Sequence, residues 1–246
     1  MWEFCLYFEK GQIKFINKIK NRLQKVFKRY RGVVILFENE NKLLVATGED
    51  ESASIFVYKY LYNYITNIIY THYKTLELSK IDARLFNNKT FEFIIKQILF
   101  CFDEEFDKSI IKQNLILDEN LSLQGFYNFK LNELKQKWER LVELIETNSS
   151  LLKNYVVNVD LVRFLLSELN PKIESVCLHH DGKKYFLRTI ENEKLILDNK
   201  NFSQKQSFEN MLKNLIFLSP KKIILCFDTK NKDFQIFKDV FAEKLA

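Results

Sequence analysis

The chain has 246 residues, enough for one or two domains, and its 47% hydrophobic and 28% charged residues exclude wholesale disorder. With only 5 Gly and 2 Pro it does not suit an all-β fold built on tight loops, and long helices with short connections are expected instead. The net charge of +6 is concentrated: nine of the 38 Lys and Arg fall in 10–31, which holds no acidic residue, leaving 29 basic against 32 acidic residues elsewhere.

No run approaches the roughly 18 apolar residues of a membrane span. The richest, 91–102, is interrupted by Glu92, Lys96 and Gln97. Glu3 stands where a signal peptide carries positive charge, and no small-residue cleavage site follows, so a cytoplasmic location is expected. Cys5, Cys101, Cys177 and Cys226 are scattered through apolar runs without a C-x-x-C, and read as buried, reduced thiols.

In chain order, 2–8 reads as a strand and 10–30 as an amphipathic helix ended by Gly32. The runs 33–37 and 42–47 read as a hairpin, and the acidic 48–52 stretch as an N-cap. In 53–74 the tyrosines at 58, 60, 62 and 64 alternate like a strand. The polar residues step by three and four, however, and twenty residues exceed a typical strand, so a helix is predicted. Helices are predicted over 90–112, 125–147 (with Glu133 and Lys137 paired on its outer side) and 150–169, the last stopped by Asn170-Pro171. Tyr155 and Val156 are placed on its inward face with Leu152, Val159, Val162 and Leu166. The segments flanking Asp181-Gly182 form a hairpin, with a short strand at 194–197 after it. A capping box of Ser203 and Gln206 opens a helix to 218, followed by a strand at 222–227 and a final helix.

The predicted class is α+β: an N-terminal β-α-β-β-α unit (1–76), a helical middle (77–170) and a C-terminal ββ-α-β-α unit (171–246). The pattern suits one shared sheet and two separate lobes equally well.

Three segments carry a resemblance. LSLQGFYNFKLNEL (121–134) holds Gly125, Phe126 and Phe129 with a basic residue, Lys130, after them; LNPKIESVCLH (169–179) and FLSPKKIIL (217–225) follow in the same order. The region they mark out, about 120 residues from 121 onward, resembles the YtxC-like sporulation proteins of spore-forming Gram-positive bacteria. The resemblance implies an intracellular role connected with sporulation and supplies no catalytic residue, cofactor or metal.

Read from the residues, the strongest constellation is the stripe Lys14, Lys18, Arg22, Lys25 and Arg29, at spacings that place it on one helix face. It suits phosphates of nucleic acid or of an anionic membrane surface, and equally a solvated lysine-rich face. Specific base readout has no motif to support it. Cys177 and His179 share a strand face among cations, a poor zinc set; with a two-residue turn, His179 would face Lys184, with Arg188 nearby, as a weak anion site. The acidic group Asp103, Glu104, Glu105 and Asp107 reads as a solvated helix end. No catalytic motif, metal site or cofactor site is found. The expectation is a non-enzymatic protein that acts through a protein partner or self-association, with polyanion binding as the alternative.

Overall fold

Alternating apolar residues make β1 (Trp2–Tyr7) a strand, with Phe4 and Leu6 fully buried on one face. The computed structural model describes residues 2–27, 32–47, 51–117, 120–197, 200–227 and 232–246. A 3-10 turn at Lys10–Gln12 leads into α1 (Ile13–Phe27), which buries Ile16, Ile19, Leu23 and Phe27 at helical spacing. Strands β2 (Gly32–Phe37) and β3 (Lys42–Thr47) form the expected antiparallel hairpin. Gly32 is not the helix cap expected from the sequence; it begins β2. A Cβ there would lie 2.3 Å from the Phe27 ring, so glycine lets the end of α1 press onto the strand. The C-terminal turn predicted for this helix, with Arg29, lies outside the described residues, as does most of the acidic cap at 48–52.

Next comes α2 (Glu51–Leu78), a helix as predicted. Its alternating tyrosines pair along the helix instead: Tyr58 stacks on Tyr62 and Tyr60 on Tyr64, at centroid distances of 6.1 and 5.9 Å. The 90–112 region is a pair of helices, α3 (Lys89–Cys101), capped by the Asn88 side chain, and α4 (Glu104–Asn114). A strand that sequence reading missed follows, β4 (Asn120–Ser122), too short to show a period of two. The single helix expected over 125–147 is two, α5 (Leu123–Lys130) and α6 (Asn132–Thr147), broken at the buried Leu131.

Asn154 caps α7 (Tyr155–Ser167) by accepting from the Val156 and Val157 N–H groups. Val159, Val162 and Leu166 point inward as predicted, but Tyr155 and Val156, in the first turn beside the cap, are exposed. Strands β5 (Ser175–His180) and β6 (Tyr185–Arg188) pair antiparallel, and a small ribbon follows, β7 (Ile196–Leu197) with β8 (Lys200–Asn201). Helix α8 (Phe208–Leu218) is capped by Ser207, not by the predicted box. Ser203 instead accepts from the Leu195 N–H, and Gln206 pairs through its backbone with Tyr185. The chain ends with β9 (Lys222–Leu225), parallel to β5, and α9 (Lys232–Val240).

The fold is α+β. Its compact units are 1–80 with 104–142, and 81–103 with 143–246, so the helical middle is shared between them. The strand-bearing ends form separate sheets. In the first unit the order is β2-β3-β1-β4, with β4 parallel to β1. One face of this sheet, with Phe4, Leu6, Leu43 and Val45, is buried, and α1 contacts β2. In the second unit the order is β6-β5-β9, with α3 against α8 and α7, and α7 against α9.

Candidate functional site

Helix α1 places Lys14, Lys18, Arg22 and Lys25 in solvent, opposite its buried Ile and Leu residues. Among the described residues none of the four forms an ion pair, and Arg22 lies over the Tyr64 ring at 5.7 Å. The predicted ridge therefore exists as a surface through Lys25, a row of cations about one helical turn apart.

The second surface was not predicted residue by residue. Strand pairing places three rows side by side on the outer face of the first sheet: Val33–Ala46–Glu3, Ile35–Leu44–Cys5 and Phe37–Lys42–Tyr7. Val33 is 53% exposed, Ile35 40%, Phe37 37% and Tyr7 37%. Isolated exposed apolar residues are ordinary, but these four share a face with half-buried Leu44 and Ala46, which makes a contiguous patch. Since Val34, on the opposite face of β2, is buried and α1 contacts that strand, the helix covers the other side.

Beneath the surface of the same unit lies a polar cluster. Asp107, expected at a solvated helix end, is fully buried. It accepts from Lys74 Nζ at 2.7 Å, Lys137 Nζ at 2.8 Å and Trp138 Nε1 at 2.9 Å. Lys137 thus reaches Asp107, a stronger partner than the predicted Glu133 because that carboxylate is out of water. The Lys74 ammonium also lies 5.1 Å from the centre of the Tyr70 ring. Nearby, Tyr127 donates to Glu77 at 3.0 Å and stacks on Tyr73 at 4.1 Å, and Tyr73 accepts from Gln12. Burial pushes the Tyr73 phenol up to about 12, and burial with Glu77 pushes Tyr127 up as well. Both phenols stay protonated at neutral pH, so the cluster acts as a hydrogen-bonded core rather than as a base.

In the second unit the β5–β6 register differs from the two-residue turn predicted. Residues 181–184 form the connection, with the Asp181 carboxylate accepting from the Lys183 and Lys184 N–H groups and Gly182 at φ 89°. His179 therefore pairs with Phe186 instead of Lys184, and Cys177 pairs with Arg188. The structure brings both His179 and Arg188 against the Phe186 ring, and Lys184 lines an open polar cleft of about 430 Å³ with Lys205, Gln206 and Ser207.

His179 lies flat on Phe186, 5.1 Å between centroids and 5° between planes, and its Nε2 is buried without a partner among the described residues. Burial, with the Arg188 guanidinium, holds its pKa below the ordinary value. An unfolded chain takes up this proton near pH 6.5 while the folded one resists, so stability is lost as pH falls below about 6.5. His179→Phe is expected to keep the stack and to weaken that acid-side loss, measured by urea unfolding at about pH 7.5 and about pH 5.5.

Cys5 and Cys177 are buried as expected, Cys101 is half-buried, and Cys226 is exposed, against expectation. Burial, with Cys226 beside it, pushes the Cys177 thiol up, away from a reactive thiolate. Among the described residues no three His, Cys, Asp or Glu side chains converge on a metal position, and no helix is long and apolar enough to cross a membrane. Set against protein-family models, curated proteins and solved structures, the chain matches none.

Proposed function

We propose that this is a non-enzymatic cytoplasmic protein of the YtxC-like sporulation type that works by protein interaction, through a partner or through self-association. The observation behind this reading is the outer face of the first sheet, where Val33, Ile35, Phe37 and Tyr7 form one exposed apolar patch. An uncovered apolar face of this kind marks an interaction surface more often than a solvated one. The sporulation setting rests on the resemblance at 121–134, 169–179 and 217–225. A second reading is favoured by a separate observation, the exposed cations of Lys14, Lys18 and Lys25 with Arg22, unpaired among the described residues, which suit the phosphates of a nucleic acid or an anionic lipid surface.

A pull-down of tagged protein from sporulating cells, with and without nuclease and at two salt concentrations, separates the two. The first reading predicts nuclease-resistant, salt-stable protein capture that Ile35→Asp abolishes and Lys18→Glu/Arg22→Glu leaves intact. Nuclease-sensitive, salt-labile capture lost only in the charge-reversed variant would replace it with the second reading. Contact with about four phosphates makes the logarithm of affinity fall with the logarithm of salt at a slope of about −3 to −4.

A further inference from the structure

Resting on the first of these readings, we propose that the occupant of the open sheet face is a second copy of this chain, packed face to face about a two-fold axis. The middle row of the face, Ile35–Leu44–Cys5, is uncharged; the first row carries one carboxylate, Glu3, and the third one ammonium, Lys42. Lys42 Nζ lies 5.8 Å from the ring centres of both Tyr7 and Phe37. An axis running across the strands along the middle row lays the first row of one copy over the third row of the other. Glu3 then stands over Tyr7 and beside Lys42 of the second copy, and by symmetry this happens twice. Opposite charges meet at both ends, which makes the surface complementary to itself, as an isologous interface requires.

The same face excludes the simpler alternative. Pairing through the free edge of β2 would satisfy its backbone groups but leave Val33, Ile35 and Phe37 in water. Covering the face removes all of them from water and stacks two sheets about 10 Å apart, as in a sandwich. At about 3.4 Å per residue and about 4.8 Å between strands, β2, β3 and β1 span about 20 by 15 Å. In outline a pair of such faces covers about 600 Å², with Cys5 already buried, which is below the size of a standard specific interface, so the dimer should be weak and concentration-dependent. The +6 charge of each copy opposes association, and least in this arrangement. The basic ridge is on α1, behind the sheet, so two copies meet through surfaces that are nearly uncharged.

Sedimentation velocity of the full chain from about 1 to about 200 µM tests the proposal. The expected result is a monomer–dimer equilibrium whose dissociation constant Ile35→Asp raises at least tenfold, because two carboxylates would be forced into the apolar middle row. Glu3→Lys and Lys42→Glu should each weaken association several-fold, and an equimolar mixture of the two should associate again, since the mixed pair restores both opposite-charge contacts. These two exposed or half-exposed sites keep the test valid even if Ile35→Asp impairs folding, which circular dichroism would reveal. A wild-type chain that stays monomeric throughout overturns the second copy. If Ile35→Asp still abolishes capture in the pull-down, the wider interaction reading survives that failure. A dimer indifferent to Ile35→Asp, or no recovery in the mixture, overturns the face-to-face arrangement.

Discussion

Asp107→Ala is expected to destabilise the protein by about 3–5 kcal/mol, because it breaks a fully buried ion pair by removing the carboxylate that the Lys74 ammonium meets at 2.7 Å. The alternative, a loss near the 0–1 kcal/mol of a surface ion pair, requires solvent around the charge, and both side chains of this pair are 0% exposed. Trp138 loses its acceptor at the same time, and Lys137 one ion pair, although Lys137 is partly exposed and can turn to water. Joint replacement by Lys74→Met and Asp107→Leu should cost far less than Asp107→Ala, since a buried pair exchanged for apolar groups is often neutral. Urea unfolding followed by tryptophan fluorescence measures both variants. The chain has 2 Trp, so a Trp2→Phe background leaves Trp138, which touches Asp107, as the reporter. Equal losses in the single and double variants would show that the ion pair does not control stability at this point.

The sequence made the periodic elements readable and hid whatever depends on distant partners. Ile16, Ile19 and Leu23 repeat at helical spacing, and the hairpin at 33–47 alternates, so local pattern sufficed for α1, β2 and β3. The tyrosines of α2 alternate as in a strand, and length with polar spacing gave the correct answer there. Strand β4 escaped because Asn120–Ser122 is held by its parallel pairing to β1, more than a hundred residues away. Asp107 was misread for the same reason. Its neighbours Glu104 and Glu105 look like a solvated helix start, and only packing of α4 against α2, with Trp138 donating from α6, makes the aspartate a buried centre. The β5–β6 register failed through turn chemistry. Asp-Gly suits a two-residue turn, yet the Asp181 carboxylate caps two N–H groups and sustains a four-residue connection, moving His179 from Lys184 to Phe186. The basic ridge was legible residue by residue, whereas the apolar face emerged only once the register had aligned Val33, Ile35 and Phe37 with Lys42, Leu44 and Ala46.

Phe237→Ala is expected to cost the second unit about 3–5 kcal/mol, the range for removing a fully enclosed aromatic ring. Phe237 lies between Phe234 and Phe241, at 4.9 Å from each, and Phe234 continues the cluster to Phe227 at 5.0 Å. Tyr185 and His180 extend it onto β6 and β5 through Phe234, so Phe237→Ala removes the ring that backs Phe234, the one that joins α9 to the sheet. Phe164→Ala is the control: the residue type is the same, but Phe164 is 61% exposed, and its removal should change stability by no more than about 0.5 kcal/mol. Because the chain folds as two compact units, one global unfolding curve need not be two-state, and amide hydrogen exchange is the better measurement. In Phe237→Ala, exchange should accelerate in α9, β9 and β5, which the aromatic cluster binds together. Unchanged protection in β5 and β9 would mean that the sheet holds without the helix, and that parallel pairing of these strands, rather than the aromatic cluster, stabilises the second unit.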